Sequence, residues 1–438
     1  GGSSTQNIDA EHIEANPNGG WIIGSEYNTT LTFGTHTLQP TSPYGASFGE
    51  FFLAVADSTG TWQSVFGADH SFGAGGLSFL TDVALDGNGE ILVTGYFYGE
   101  IAFTGSGTNP VAIISNTNTG YHWEGFLAKA DSMGNWLWAN SFTTLVNGSG
   151  EFSLARVAQM DSAGDVFVSG QFQGETDFGG TALNVSSTQV YVTKFDGQSG
   201  MLDWVVSGSG VGSSQVFDIA LSNSINPTIK LATIADGRAQ WATSTYFAVG
   251  TLDTVIVELD ANNGGVLSLN GIGALSQQTL VTAIEIDSSG HTYLAGTFGG
   301  TISGSGWSAT AIYGGNDVFV AKEAQSSGWS FVSGSSAGDQ PWGLAVTSTG
   351  LVIFSGIFSS AFTVGSTTMS PSNDDGYVVG LSSAGALDWT EKIGGSQYDY
   401  VWSMSVNMSD FIGIAGSYSG SMTHDGSTLT SSGGRDAY

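Results

Sequence analysis

One phrase that keeps returning constrains this sequence more than any other feature. It stands at Val83-Ala-Leu-Asp86-Gly-Asn-Gly89-Glu-Ile-Leu-Val93-Thr-Gly95-Tyr-Phe97. It recurs as Val157…Asp161-Ser-Ala-Gly164-Asp-Val-Phe-Val168-Ser-Gly170-Gln-Phe172 and as Ile284…Asp287-Ser-Ser-Gly290-His-Thr-Tyr-Leu294-Ala-Gly296-Thr-Phe298. Looser copies run Leu344…Gly350…Gly356-Ile-Phe358 and Met404…Asp410…Gly416-Ser-Tyr418, and the first is Ile13…Gly19-Gly-Trp21-Ile-Ile-Gly24. The marker glycines at 24, 95, 170, 296, 356 and 416 are separated by 71, 75, 126, 60 and 60 residues. Because 126 is twice 63, a degraded unit is expected over 219–274, from Ile219-Ala-Leu-Ser-Asn to Val255-Ile-Val-Glu-Leu-Asp260, which makes seven units.

Each unit reads as β-structure. Short alternating runs of Val, Ile, Phe and Thr are bounded by Gly, Asn, Asp and Ser. Asp-x-x-Gly between the first two runs supplies an acceptor at the start of a tight turn and a residue free to take positive φ at its end. A third run follows (Phe126-Leu-Ala-Lys-Ala-Asp131, Tyr191-Val-Thr-Lys-Phe-Asp196, Val318-Phe-Val-Ala-Lys322), then a fourth carrying Trp62, Trp136 and Trp138, Trp204, Trp329 or Trp389. Four strands every 60 to 75 residues with no helical segment predict an all-β, seven-bladed β-propeller of four-stranded antiparallel blades. A β-solenoid would repeat about every 20–30 residues and would not need four strands per repeat. The blades are expected near 8–66, 80–142, 154–208, 217–272, 281–334, 342–394 and 402–438, all in one domain. The seventh stops at Gly433-Gly-Arg-Asp436-Ala-Tyr438, where its third strand begins, so it reads as incomplete. Continuation of the same polypeptide or a strand from a neighbouring subunit is expected to close that edge.

The phrase, followed by an F-V-A-K-type strand, a Trp strand and Gly-Gly, resembles the secreted β-propeller repeat family called SBBP. The resemblance is close in units 2, 3 and 5, looser in 1, 6 and 7, and poor in 4. It implies the propeller fold and an extracellular or cell-surface setting, and it carries over no active site.

Composition narrows the partners. Eight Lys and Arg face 38 Asp and Glu, a formal charge of −30, and the eight cations form no cluster in the sequence. Such a surface repels phosphate backbones and anionic headgroups, so neither nucleic acid nor membrane insertion is expected. With no cysteine, there is no disulfide, thiol nucleophile or thiolate metal site.

Candidate sites follow from spacing. Asp86, Asn88 and Glu90 place oxygen ligands at alternate positions, as the start of a calcium loop does. Asp161 and Asp287 occupy the same turn without the further ligands, and a turn-capping Asp explains all three. The six histidines share no metal spacing, and no cofactor is expected beyond that calcium. Three arginines at unrelated repeat positions argue against a sialidase carboxylate site. The loops entering the inner strands carry Asp69, His70 and Phe72 in unit 2, Asp339, Gln340 and Trp342 in unit 6, and Tyr398, Asp399, Tyr400 and Trp402 in unit 7. Aromatics beside carboxylates suit stacking on sugars or anchoring a protein partner. The competing reading makes Trp342 and Trp402 core wedges between blades. No catalytic residue is expected, and the function read from these features is a noncatalytic extracellular module, structural or for recognition, within a surface protein, filament or array. Its partner would be a protein or a second copy, or a glycan. A glycan-binding lectin-like propeller and a propeller glycoside hydrolase or lyase are the alternatives.

Overall fold

The computed structural model describes residues 9–42, 49–71, 76–107, 109–116, 122–145, 150–210, 214–222, 224–424 and 427–438, and among them there is no helix. The strands form seven consecutive antiparallel meanders, the blades of a β-propeller, six with four main strands and the seventh with three. The innermost strands are His12–Ala15, Gly76–Leu85, Phe152–Met160, Val216–Leu221, Thr279–Ile286, Gln340–Val346 and Asp399–Val406. The degraded unit folds as a full blade, Val216–Leu221, Thr228–Ala235, Asp253–Asp260 and Val266–Ile272. Blade 7 meets blade 1 through its inner strand, where Ile13 N–H donates to Ser403 Oγ (3.2 Å) and Ala15 N–H to Ser405 Oγ (3.1 Å).

The marker glycine has a steric cause. In six blades the inner strand carries a β-bulge, which leaves Thr81, Arg156, Phe217, Thr282, Trp342 and Trp402 as the extra residue. A bulge bends its strand and re-aims that side chain. In five of these blades the residue before the bulge pairs with the marker, as in Ala155↔Gly170 and Pro341↔Gly356. There the preceding turn of inner strand presses a carbonyl onto the glycine: a Cβ at Gly95, Gly170, Gly296, Gly356 or Gly416 would lie 1.9–2.2 Å from the oxygen of Phe79, Leu154, Leu280, Gln340 or Tyr400. In blade 4 the paired ladder stops at Val216↔Thr233, and threonine is found at that position. The bulge also explains why several inner strands begin before the expected boundary, Gly76 rather than 80 and Asp399 rather than 402. Alternation of apolar and polar residues breaks at the extra residue, so a period-two reading begins the strand there.

The repeated Asp-x-x-Gly is a self-capped turn. Asp161 Oδ1 accepts from Ala163 N–H and Asp165 N–H (both 2.9 Å), and Asp287 Oδ1 accepts from Ser289 N–H (2.9 Å) and His291 N–H (2.8 Å). The Trp strands serve the ring. Trp138, Trp204 and Trp329 cover Gly200, Gly264 and Gly385, which turn the outer hairpin of the next blade, and a Cβ on any of these would come within 2.5–2.8 Å of the indole. Cores form between blades, with Phe51 and Leu53 of blade 1 packed on Leu80, Val93 and Phe126 of blade 2.

Buried carboxylates at the start of third strands hold the loop that precedes them. Asp253, fully buried, accepts from Val249 N–H (2.7 Å), Gly250 N–H (3.1 Å) and Tyr246 Oη–H (2.7 Å). Glu50 accepts from Thr41 N–H (2.7 Å) and Ser42 N–H, and Asp317 from Ile312 N–H (2.5 Å) and Tyr313 N–H (3.0 Å). Asp253→Ala strands three donors in a buried site and is expected to cost about 3 kcal/mol. Urea unfolding measures the loss, and an unchanged midpoint would remove this role.

Candidate active site at the mouth of the central channel

The inner strands surround a channel, and a cavity of about 610 Å³ along it is lined by Glu14, Asp82, Asp218, Glu285, Trp342 and Trp402, among others. Two of its carboxylates join blades: Asp82 Oδ2 accepts from Ala158 N–H of blade 3 (2.8 Å), and Asp218 Oδ2 from Ile284 N–H of blade 5 (2.9 Å). No Lys or Arg lines this part of the channel. Burial therefore pushes Asp82 and Glu285 up to about 7 and Glu14, which also feels Asp82, up to about 8.

A second cavity of about 610 Å³ opens at the mouth of the channel, across blades 1 to 4. Glu11, His12 and Glu26 come from blade 1, Tyr96 from the second strand of blade 2, and Arg156 from the bulge of blade 3. Glu11 and Glu26 both line this cavity and interact electrostatically. Burial raises both, followed by Asp9 for Glu11 and by Glu11 for Glu26, and Glu26 lies well above the usual range. Leu80 N–H donates to Glu26 Oε1 (2.7 Å) and fixes its orientation. Desolvation in the narrow mouth lowers His12 to about 4, so its imidazole is neutral at physiological pH. Tyr96 is raised by burial, against the pull of Arg156, whose guanidinium carbon lies 5.8 Å from the centre of its ring. Arg156 Nε–H donates to Gln171 Oε1 (3.2 Å). Phe79 stacks on Tyr96 at 5.0 Å and Trp123 meets it edge-on at 5.3 Å.

The residues anticipated from spacing are placed differently. His70 is fully buried, 3.2 Å from Glu50 and 2.6 Å from Ser78 Oγ, and is a packing residue rather than a rim ligand. Asp339 and Asp399 are also buried, the first accepting from Ser335 Oγ–H (2.9 Å) and the second from Gly395 N–H (2.6 Å). These three corrections share a cause, because a carboxylate or imidazole that caps a loop is drawn inward by the N–H and hydroxyl donors it must satisfy. Asp69 caps Ser71 (2.8 Å). Gln340 is exposed, and Phe72 lies outside the described residues. Trp342 and Trp402 stand together, ring centres 6.4 Å apart, half-buried on the channel wall. Tyr400 stacks on Trp402 at 5.0 Å and Tyr398 on Tyr400 at 6.3 Å.

The calcium reading is corrected as well. Asp86 Oδ1 is taken by the N–H groups of Asn88 (2.9 Å) and Glu90 (2.8 Å), and the Glu90 carboxylate pairs with the buried Lys129 (2.8 Å). No group of three or more His, Asp or Glu that could hold a metal occurs among the described residues.

No protein-family model matches the chain, and no curated protein matches it. Solved structures similar to it are propellers. An ulvan lyase of polysaccharide lyase family PL25, bound to -[GlcA(1-4)Rha3S]-, has 12% identity and a TM-score of 0.46 over 99% of this chain and 97% of its own. The NanB sialidase from Streptococcus pneumoniae has 11% identity and a TM-score of 0.42 over 95% and 66%. Quinohemoprotein alcohol dehydrogenase from Comamonas testosteroni has 11% identity and a TM-score of 0.41 over 97% and 68%. At these values the likeness bears on the fold alone. The expectation of a noncatalytic structural or recognition module is corrected: the similar propellers include the ulvan lyase and other enzymes, and the reading that replaces it rests on the side chains of the mouth cavity.

Glu11, Glu26, Tyr96 and Arg156 were not singled out by sequence. Arg156 had one usable signal, its place at the same repeat position as Trp342 and Trp402, the bulge.

Proposed function

We propose that the protein is a propeller-fold polysaccharide lyase that cleaves a uronate-containing glycan by β-elimination at the channel mouth, in an extracellular setting where such polymers are met. The observation that carries this reading is the gathering of Glu11, Glu26, His12, Tyr96 and Arg156 from three blades on one cavity. Glycoside hydrolysis uses two carboxyls roughly 5 to 9.5 Å apart as its acid and its base or nucleophile. Elimination instead needs a neutral base, a group that offsets the uronate carboxylate, and an acid for the leaving oxygen. His12 is neutral, Arg156 can face a carboxylate, and Tyr96 keeps its phenolic proton. In the step, the imidazole takes the C5 proton and the C5–H electron pair becomes the C4=C5 double bond. The C4–O bond then breaks with its electrons on oxygen, and Tyr96 delivers its proton there.

Incubation with uronate polysaccharides, followed by the ultraviolet absorbance of the unsaturated product, tests the reading. Tyr96→Phe, His12→Ala and Arg156→Ala are each expected to lower the rate by about 100-fold or more. Reducing ends without unsaturation would mean hydrolysis, and binding without any new ends would mean a lectin; either result removes the proposal.

A further inference from the structure

We propose that blade 7 carries a separate subsite that holds a distal sugar of the same acidic glycan, an inference that deepens the lyase reading and rests on it. Tyr398 immediately precedes the inner strand of blade 7, Tyr400 is the second residue of that strand, and Trp402 is the extra residue of its bulge. Their rings stack in series, at 6.3 Å and 17° for the first pair and at 5.0 Å and 25° for the second, and Trp342 continues the row at 6.4 Å. The row begins at Tyr398, which is 47% exposed, and ends in the channel at Trp342, whose buried indole N–H has no hydrogen-bond partner among the described residues. Core packing would cover the tyrosine.

A cleft of about 550 Å³ opens beside the outer half of the row, with Gln397, Tyr398, Tyr400 and Arg435 on its walls. The Arg435 guanidinium lies 5.6 Å from the centre of the Tyr400 ring, and its Nε is 3.9 Å from Asp9. An aromatic face next to a guanidinium matches a sugar ring that presents C–H groups on one side and a carboxylate at its edge. Asp9, 3.9 Å from Arg435, lines one cavity with Glu11 and Glu26, which also line the mouth cavity. The same pairing of arginine with tyrosine occurs there in Arg156 and Tyr96. The net charge of −30 does not forbid an anionic ligand, because charges more than about 8 Å away are largely screened at physiological ionic strength and the two guanidiniums are local.

The test measures binding without turnover. The full chain carrying Tyr96→Phe is titrated by calorimetry with a galacturonate disaccharide, the hexasaccharide, and a neutral gluco-hexasaccharide. The acidic hexasaccharide is expected to bind more tightly than the neutral one, and adding Tyr398→Ala with Tyr400→Ala is expected to weaken it by about tenfold while leaving the disaccharide unaffected. Tyr400→Phe keeps the ring and should retain affinity, which separates stacking from a folding defect; Arg435→Gln should erase the preference for acidic over neutral sugar. Hexasaccharide affinity that ignores the tyrosines, equal affinity for the neutral sugar, or no binding at all overturns the subsite. Tyrosine-dependent binding with no unsaturated product from the unsubstituted chain supports the subsite and removes the lyase reading alone.

Discussion

Gly170→Ala is expected to cost about 3 kcal/mol or more, and to leave the chain unfolded if the ring has little stability to lose. A Cβ there would sit 2.0 Å from Leu154 O and 2.7 Å from the Tyr191 hydroxyl. The obstacle is main chain on a bulged strand, which also positions Arg156, so relief requires undoing the bulge. Gly356→Ala meets Gln340 O at the same 2.0 Å and should behave alike. Gly87→Ala is the control: it lies in an Asp-x-x-Gly turn with nothing within 4 Å of the added carbon. It should stay within about 0.5 kcal/mol of the parent. Urea midpoints of the three variants decide the matter, and equal midpoints would show that the carbonyl contact is not what selects glycine.

Stability is expected to fall as pH rises from about 6 to 8. The reason is the set of channel carboxyls held high by burial: Asp82 and Glu285 at about 7 and Glu14 at about 8, with Asp218 well above its ordinary value. A carboxyl whose folded pKa is raised binds its proton more tightly in the native state. Its contribution is therefore fully present below the unfolded value and is lost as pH passes through the folded one. For Glu285 alone, from 4.5 to about 7, the loss is about 3 kcal/mol. His12 works in the opposite direction, since its lowered pKa makes the native state more stable as pH rises from about 4 to its ordinary 6.5. Above 6.5 that term is complete and the carboxyls act unopposed. Melting curves at pH 6, 7 and 8 should show a steady decline of several degrees, and Glu285→Gln should make it shallower. A melting temperature that is level or rises over this window would mean that the channel carboxyls are ionised in the native state.

Much of the fold was legible because a repeat states its constraint several times. Glycine at 95, 170, 296, 356 and 416, Asp at 86, 161 and 287, and the Trp strands each mark a local demand, namely a carbonyl pressed on Cα, a capped turn, or a covered hairpin glycine. Local demands recur with the period, so the sequence by itself determined the meander, the number of units and the all-β class. It did not reveal the bulge, which breaks the alternation used to find strand starts. It also pointed to the wrong carboxylates: Asp339 and Asp399 share a repeat phase with Trp342 and Trp402, yet cap buried loops while the tryptophans face the channel. Only the tertiary structure decided the site. Glu11, Glu26, Tyr96 and Arg156 occupy three different blades and share no repeat phase, and nothing in the chain between them records their approach. Closing the ring brings the inner strands around one axis, and groups far apart in sequence meet at its mouth, where shared burial raises the carboxyls of Glu11 and Glu26.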